Sequence, residues 1–316
     1  MPGTAATLLA DGGAAASEEG HFFRSPGFLR AEGTTHSLVV AGPSEPALPV
    51  LVREIPGDGG LDAISPYGYP GARSSGRAPD PREVDWSGTG LVSLFVRDRV
   101  GDPPAFEGGT ERARVQIADP AQPSGVRKRL REQIRRNERR GWNVGVEPGD
   151  QAAPEDRAAF ERAYAETMAR TGAAERYLYE SAYFEELLGA DGAWLVLAGR
   201  DGERPSAGAI AVVSDGHLHY YLGGTAEEAL RDSPMKNLFA SMTSLAGELG
   251  LALNLGGGIE PGDSLDRFKQ GFANATAPFR THEIVCDSEA YERLSRGHDG
   301  PEGFFPRYRA PAGRGA

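Results

Sequence analysis

The alternation of apolar and polar positions divides the chain into strand-like and helix-like segments. HSLVV (36–40) and LPVLVREI (48–55) have the apolar density and branching of strands and flank the turn-rich AGPSEPA. GLVSLFVR (90–97), RARVQI (112–117) and WNVGVE (142–147) read the same way. Between the last two, Val126, Leu130 and Ile134 recur at a spacing of four inside a charged run, which predicts a helix with a narrow apolar stripe. PEDRAAFERAYAETMAR (154–170) opens on Pro and acids and ends before Gly172, the pattern of a long helix. SAYFEELLG (181–189) predicts a second helix, with Ser181 as a candidate cap.

Further on, AWLVLAGR (193–200) and SAGAIAVVS (206–214) flank DGERP and predict antiparallel strands, with HLHYYLGG (217–224) a third. SPMKNLFASMTSLAGELG (233–250) predicts a helix with Ser233 as N-cap, Pro234 in first position and Gly250 past its end. LALNLGGG (251–258) is a strand, SLDRFKQGF (264–272) a short helix and FRTHEIVC (279–286) the closing strand. The expectation is an α/β fold in tandem units, each a mixed, mostly antiparallel sheet flanked by helices. The organisation expected is a disordered tail at 1–20, units at 21–150 and 151–296, and a flexible tail at 297–316.

Composition narrows the class. The 316 residues carry a net charge of -11, with 39% hydrophobic residues and a mean hydropathy of -0.42. That is a soluble-protein balance, without the run of about 18 apolar residues of a membrane helix. MPGTAATLLADGGAAASEEG lacks a basic n-region. The single Cys286 excludes an intramolecular disulfide and a cysteine-cluster metal site, and sits in a strand-like run. Together these point to the cytoplasm. An acidic chain is a poor general nucleic-acid coat, yet residues 127–140, RKRLREQIRRNERR, hold eight basic and two acidic residues. A local patch of this kind suits a specific anionic partner.

Candidate chemistry lies in four places. On an alternating strand His217, His219 and Tyr221 share one face and Leu218, Tyr220 and Leu222 the other. His-x-His is a zinc-ligand spacing, but no Cys or HExxH pattern supplies a third ligand. A tyrosine facing a cleft is the better reading. The helix opening at Ser233 offers free N–H groups to an anion, or is an ordinary capped helix. LNLGGG fits neither a Walker loop nor GxGxxG; its glycines permit a sharp turn or close ligand approach. Lys269, the one lysine in residues 237–316, could polarise a carbonyl or bind phosphate, or be a solvated surface charge. In DAISPYGYPG (62–71), Tyr67 and Tyr69 form a rigid aromatic surface that lines a polar ligand, or a structured turn packed on the core.

As a set, DAISPYGYPG, RKRLREQIRRNERRGW, TMARTGAAERYLYESAYFEEL (167–187), HYYLGGT (219–225), SPMKNLFASM (233–242) and LNLGGGIEPGDSLDRFKQGF (253–272) resemble the Fem-type branch of the GNAT superfamily, over about residues 36–286. The resemblance implies GNAT-like units, usually two in tandem, and aminoacyl transfer to an amine. Ordinary GNAT enzymes hold the CoA pyrophosphate with R/Q-x-x-G-x-G/A before the central helix. Here GGTAEEALRDSPMKN (223–237) lacks those glycines, which favours aminoacyl-tRNA over acyl-CoA as donor. The long helical insertion that some bridge-forming relatives use to hold tRNA is also missing.

The resemblance implies that Lys269 stabilises the reacting carbonyl or the tRNA end. Tyr220 or Tyr221 would supply a hydrogen bond or proton relay, and Asp62 would accept the proton of the attacking amine. Tyr67, Tyr69, Ser233 and Asn237 are expected to line the substrate, with Gly256, Gly257 and Phe268 beside Lys269. The acceptor implied is a peptidoglycan precursor or a peptide-like natural product. No metal or prosthetic group is expected, because the donor is already activated. The basic helix would contact tRNA phosphates, or be a solvated face or a connector between the units. An acyl-CoA-dependent N-acyltransferase and a non-catalytic binding protein are the alternatives.

Overall fold

The computed structural model describes every residue except 1–3, 18–19, 43, 58–59, 75, 259, 261, 299–300, 302 and 312–316. Strands and helices run along the chain as β1 (Thr4–Leu9), α1 (Pro26–Ala31), β2 (His36–Val40), β3 (Ala47–Glu54), β4 (Leu61–Ile64), β5 (Val84–Asp85), β6 (Leu91–Arg97) and β7 (Thr110–Ala118). Then come α2 (Lys128–Glu138), β8 (Trp142–Pro148), α3 (Pro154–Thr171), α4 (Ser181–Leu188), β9 (Ala193–Arg200), β10 (Ala207–Ser214) and β11 (His217–Thr225). The chain ends with α5 (Met235–Glu248), β12 (Ala252–Gly256), α6 (Ser264–Gln270), β13 (Ala275–Val285) and α7 (Ser288–Ser295). These form two compact units: unit 1 is Met1–Ser17, Glu32–Arg112 and Phe279–Ala316, and unit 2 is Glu18–Ala31 and Ala113–Pro278.

Unit 1 orders its strands β5-β1-β2-β3-β4-β6-β13. Most neighbours are antiparallel, while β1 with β5 and β4 with β6 are parallel. Leu38, Val40, Leu48, Val50, Leu94 and Val96 fill its core. Unit 2 orders its strands β7-β12-β11-β10-β9-β8. β11 and β12 pair in parallel, and the crossover that such a pair requires is α5. The apolar stripe of α5 (Leu238, Phe239, Met242, Leu245 and Ala246) packs on one face of the sheet with Ala209, Ala211, Leu218, Leu253 and Leu255. The stripe of α2 packs there too, with Ile134 buried and Val126 and Leu130 partly so. Helix α3 covers the opposite face, where Gly224 is obligatory: a Cβ there would lie 2.4 Å from the Ala163 carbonyl oxygen.

Several expectations change. The expected N-terminal tail contains β1, paired with β2 through Ala6↔Val40 to Leu9↔Ser37, and Ala6 joins the core. The apolar ATLL is a strand that composition alone conceals. The expected C-terminal tail contains a 3-10 turn, Arg307–Arg309, in which Tyr308 is buried. The units divide at Arg112/Ala113 rather than near 150, because β7 and α2 build the sheet and helix layer of unit 2, and residues 279–316 return to unit 1. Ser233 does not cap α5: it has φ 52, its hydroxyl donates to the Leu230 carbonyl at 3.2 Å, and Pro234 holds the cap position. Ser181 is likewise the first residue of α4, donating to Glu161 instead. Cys286 lies just past β13, and burial pushes its thiol up to about 12.

Candidate active site

Strand β12 ends at Gly256, whose φ of 73 turns the backbone out of the sheet. The Asp263 carboxylate then caps α6, accepting the Asp266 N–H at 2.7 Å. Gly258 leaves room for that cap: a Cβ there would lie 2.3 Å from Asp263 Oδ1. Residues 259 and 261 of this loop lie outside the described residues. Helix α6 directs Phe268 against Phe239 and Phe272 and turns Lys269 inward, leaving it 6% exposed. The lysine is therefore not a solvated surface charge. Its Nζ donates to the Gly257 carbonyl at 2.7 Å and stands 5.4 Å from the centre of the Tyr220 ring, a cation–π distance. Burial brings its pKa down from 10.5 to about 8, against the opposing charges of Asp263 and Asp266. Lys269, Gly256, Gly257, Phe268 and Tyr220 thus stand together.

Tyr221 stands elsewhere. Strand β11 carries a bulge: Tyr220 pairs with Ala211 and Leu222 with Ile210, which leaves Tyr221 as the extra residue. Tyr220 faces α5, edge-on to Phe239, and burial pushes its hydroxyl up to about 12. Tyr221 faces away, among Phe22, Phe23 and Phe28, with its hydroxyl 3.0 Å from that of Tyr183. Tyr183 in turn stacks flat on Tyr179 at 3.8 Å. Past the bulge the strand changes phase, so Gly223 comes under Tyr220. A Cβ on Gly223 would meet the Tyr220 hydroxyl at 2.5 Å. The two tyrosines nominated for one role lie on opposite faces of the sheet.

The His-x-His pair has a different use. His219 is buried, and burial holds its imidazole at a pKa of about 3, so it is neutral. Its Nε2 meets the Ser214 carbonyl at 3.0 Å. A carbonyl only accepts, so Nε2 carries the proton and Nδ1 accepts from Asn254 Nδ2 at 3.0 Å. That fixes the amide, and Asn254 Oδ1 accepts the Gly256 N–H at 2.8 Å. Both imidazole nitrogens are committed, and the product of the relay is a fixed backbone at Gly256. Among the described residues no group of three or more His, Cys, Asp or Glu side chains is placed to hold a metal.

At the start of α5, Asn237 is buried and accepts from Asn137 Nδ2 at 2.8 Å, locking α2 to α5. The loop before it carries Asp232, which takes hydrogen bonds from Arg140, Trp142 and Arg200. Burial works against that carboxylate, but the Arg200 and Trp142 bonds and the arginine charges outweigh it, and its pKa lies below the ordinary value. Lys236 donates to Gln133 at 2.7 Å. Burial, then Arg129 and Arg136, lower its pKa. Helix α2 buries Ile134 and Asn137 and leaves its arginines on the surface.

The remaining nominees belong to unit 1. Asp62 is fully buried, and its carboxylate is already engaged: Arg53 donates at 2.9 Å, Arg309 at 2.5 and 3.1 Å, and Tyr308 at 3.2 Å. Two guanidinium groups and a phenol thus donate to the carboxylate expected to accept the proton. Tyr67 is 39% exposed with its N–H on Glu32, and Tyr69 packs edge-on against Phe279. Sequence reasoning missed Gln116, Asp266 and Asn254. Their signal was present but quiet, as polar residues inside otherwise apolar strands or on the inner side of a short helix.

Residues 124–270 match the family described as an acetyltransferase (GNAT) domain. No curated protein matches the chain. Among solved structures it is similar to FemX, with a TM-score of 0.58 at 13% identity over 81% of this chain and 89% of that one. It is similar to L-PGS from Bacillus licheniformis, with a TM-score of 0.53 at 14% identity over 79% and 81%. It is also similar to the C-terminal domain of a putative lysylphosphatidylglycerol synthetase from Agrobacterium fabrum, with a TM-score of 0.53 at 16% identity over 85% and 89%. At 13–16% identity these likenesses are likenesses of fold. The chain carries the Fem-type, GNAT-like fold.

Proposed function

We propose that the protein is an aminoacyltransferase that forms an amide by moving an aminoacyl group from aminoacyl-tRNA to an amine acceptor, a peptidoglycan precursor or a peptide-like natural product. The observation that carries this reading is Lys269, a buried ammonium held on the Gly257 carbonyl beside Tyr220. An amine attacking an ester carbonyl creates a tetrahedral oxyanion, and a fixed cation in a water-poor setting stabilises that charge. The new C–N bond replaces the C–O bond, and the proton lost by the amine ends on the released tRNA hydroxyl. The donor is activated, so the reading calls for positioning and electrostatics, without a covalent nucleophile, metal or prosthetic group. A tRNA donor also places the reaction in the cytoplasm.

Two features support tRNA over CoA. The loop before α5 lacks the pyrophosphate-binding glycines, and its Asp232 carboxylate is taken up by Arg140, Trp142 and Arg200. The exposed arginines of α2 are suited to backbone phosphates. The acyl-CoA reading is favoured by one observation, the acetyltransferase description of the matching family. The deciding experiment incubates the protein with charged tRNA or acyl-CoA and a panel of amines, phosphatidylglycerol vesicles included as a hydroxyl acceptor. Ribonuclease-sensitive amide formation from charged tRNA is the expected result. Amide formation that survives ribonuclease and requires acyl-CoA overturns it.

A further inference from the structure

Lys269 feels the charge of two carboxylates, the cap Asp263 and Asp266 of its own helix, and Asp266 is fastened from outside that helix. Asp266 Oδ1 accepts from Gln116 Nε2 on β7 at 2.9 Å. Its Oδ2 accepts from the Gly262 N–H and from Gln270 Nε2, each at 3.0 Å. Asp266, Gln116 and Lys269 are all buried. A carboxylate with three donors around it is a fixed charge that cannot rotate away. Asp266 lies one helical turn before Lys269, at i,i+3, on the same side of α6. The Nζ itself donates to the Gly257 carbonyl.

We propose that Gln116 and Asp266 form a positioning pair that keeps the Lys269 ammonium charged and seated on the Gly257 carbonyl. The pair acts through Lys269 and rests on that residue's role in the proposed reaction. Without a nearby negative charge, a buried lysine sheds its proton, and a neutral amine loses both its field at the carbonyl and its hold on Gly257. Among the described residues the groups acting on Lys269 are few. Asp263 and Asp266 supply charge from α6, Tyr220 supplies its ring from β11, and the end of β12 supplies the Gly257 carbonyl. Asp263 acts from its capping position, and Asp266 is the charge that a strand residue holds in place.

The chain contains three lysines, Lys128, Lys236 and Lys269, so the ionisation of Lys269 can be read directly. Full-length protein labelled with 13Cε-lysine gives three resonances, assigned by K128R and K236R and titrated against pH. In the wild type the Lys269 midpoint is expected near 8. Asp266→Asn should move it roughly one pH unit lower while the Lys128 midpoint stays fixed. Asp266→Glu keeps the charge and should restore most of the difference. A Lys269 midpoint unmoved in D266N overturns the proposal, whatever reaction the protein catalyses. If D266N does not fold, Gln116→Ala decides: a lowered Lys269 midpoint with Lys128 unchanged supports the pair, and an identical titration curve removes it. Should the acyl-transfer assay fail while these shifts occur, the function is wrong and the pair stands.

Discussion

Replacing Lys269 with Met keeps the length of the side chain and removes its charge. The two effects of that change can be separated by pH. In the folded protein the lysine has a pKa of about 8, against an ordinary 10.5, a difference equivalent to about 3 kcal/mol. The sign follows from proton binding. Between pH 8 and 10.5 the unfolded chain binds the proton more tightly, so wild-type stability rises with pH across that window. Below pH 8 the penalty is present in full. The K269M protein has no such penalty, but it leaves the Gly257 carbonyl without its donor at a cost of about 1–3 kcal/mol. At pH 7 the variant should therefore be as stable as the wild type or slightly more so. By pH 10 the wild type should have gained about 2.5 kcal/mol on the variant. Urea denaturation of both proteins at pH 7 and pH 10 reads the difference, and turnover at pH 7 should fall by about 100-fold. A stability difference that is the same at both pH values refutes the buried, weakened lysine. Full turnover in K269M refutes its role in the chemistry.

Three other outcomes follow from the same structure. Arg309→Ala leaves the buried Asp62 carboxylate with Arg53 and Tyr308 as donors and should cost about 3 kcal/mol in thermal or urea unfolding; a change near zero means the C-terminal segment does not hold that carboxylate. Asn237→Ala removes the acceptor of Asn137 Nδ2 and should lower stability by about 1–2 kcal/mol with KM unchanged, whereas a KM effect without a stability effect would restore it to the substrate site. Arg129→Ala combined with Arg136→Ala should reduce the slope of log affinity for tRNA against log salt by roughly 1.5, read by fluorescence anisotropy, and an unchanged slope separates α2 from the tRNA.

Much of the fold was legible because periodicity reports burial. The stripes of α2 and α5 and the strands β8 to β12 fall where the apolar pattern puts them. What failed depends on contacts distant in sequence. Thr4–Leu9 reads as a tail until β2 is there to pair with it, and Tyr308 reads as a tail residue until Ser93 meets its hydroxyl at 2.7 Å. The site divides in the same way. Lys269 was found from its rarity and its glycine-rich setting, both local. The separation of Tyr220 from Tyr221 follows from strand alternation, but the bulge does not, because it depends on the register against β10. Asp62 was chosen for its place in a suggestive loop, and nothing nearby in sequence announces that Arg309 will occupy it.

The division of the chain also sets an order of assembly. Synthesis runs from the N-terminus, and domains generally fold as their residues emerge. Unit 2 has its last segment once Pro278 is made, whereas unit 1 waits for Arg309. The later unit to start is thus the earlier to finish. Until Arg309 is made, Asp62 has Arg53 alone of its two guanidinium partners. A truncation before Arg309 would therefore strike the unit that began first, and leave the one carrying Lys269 untouched.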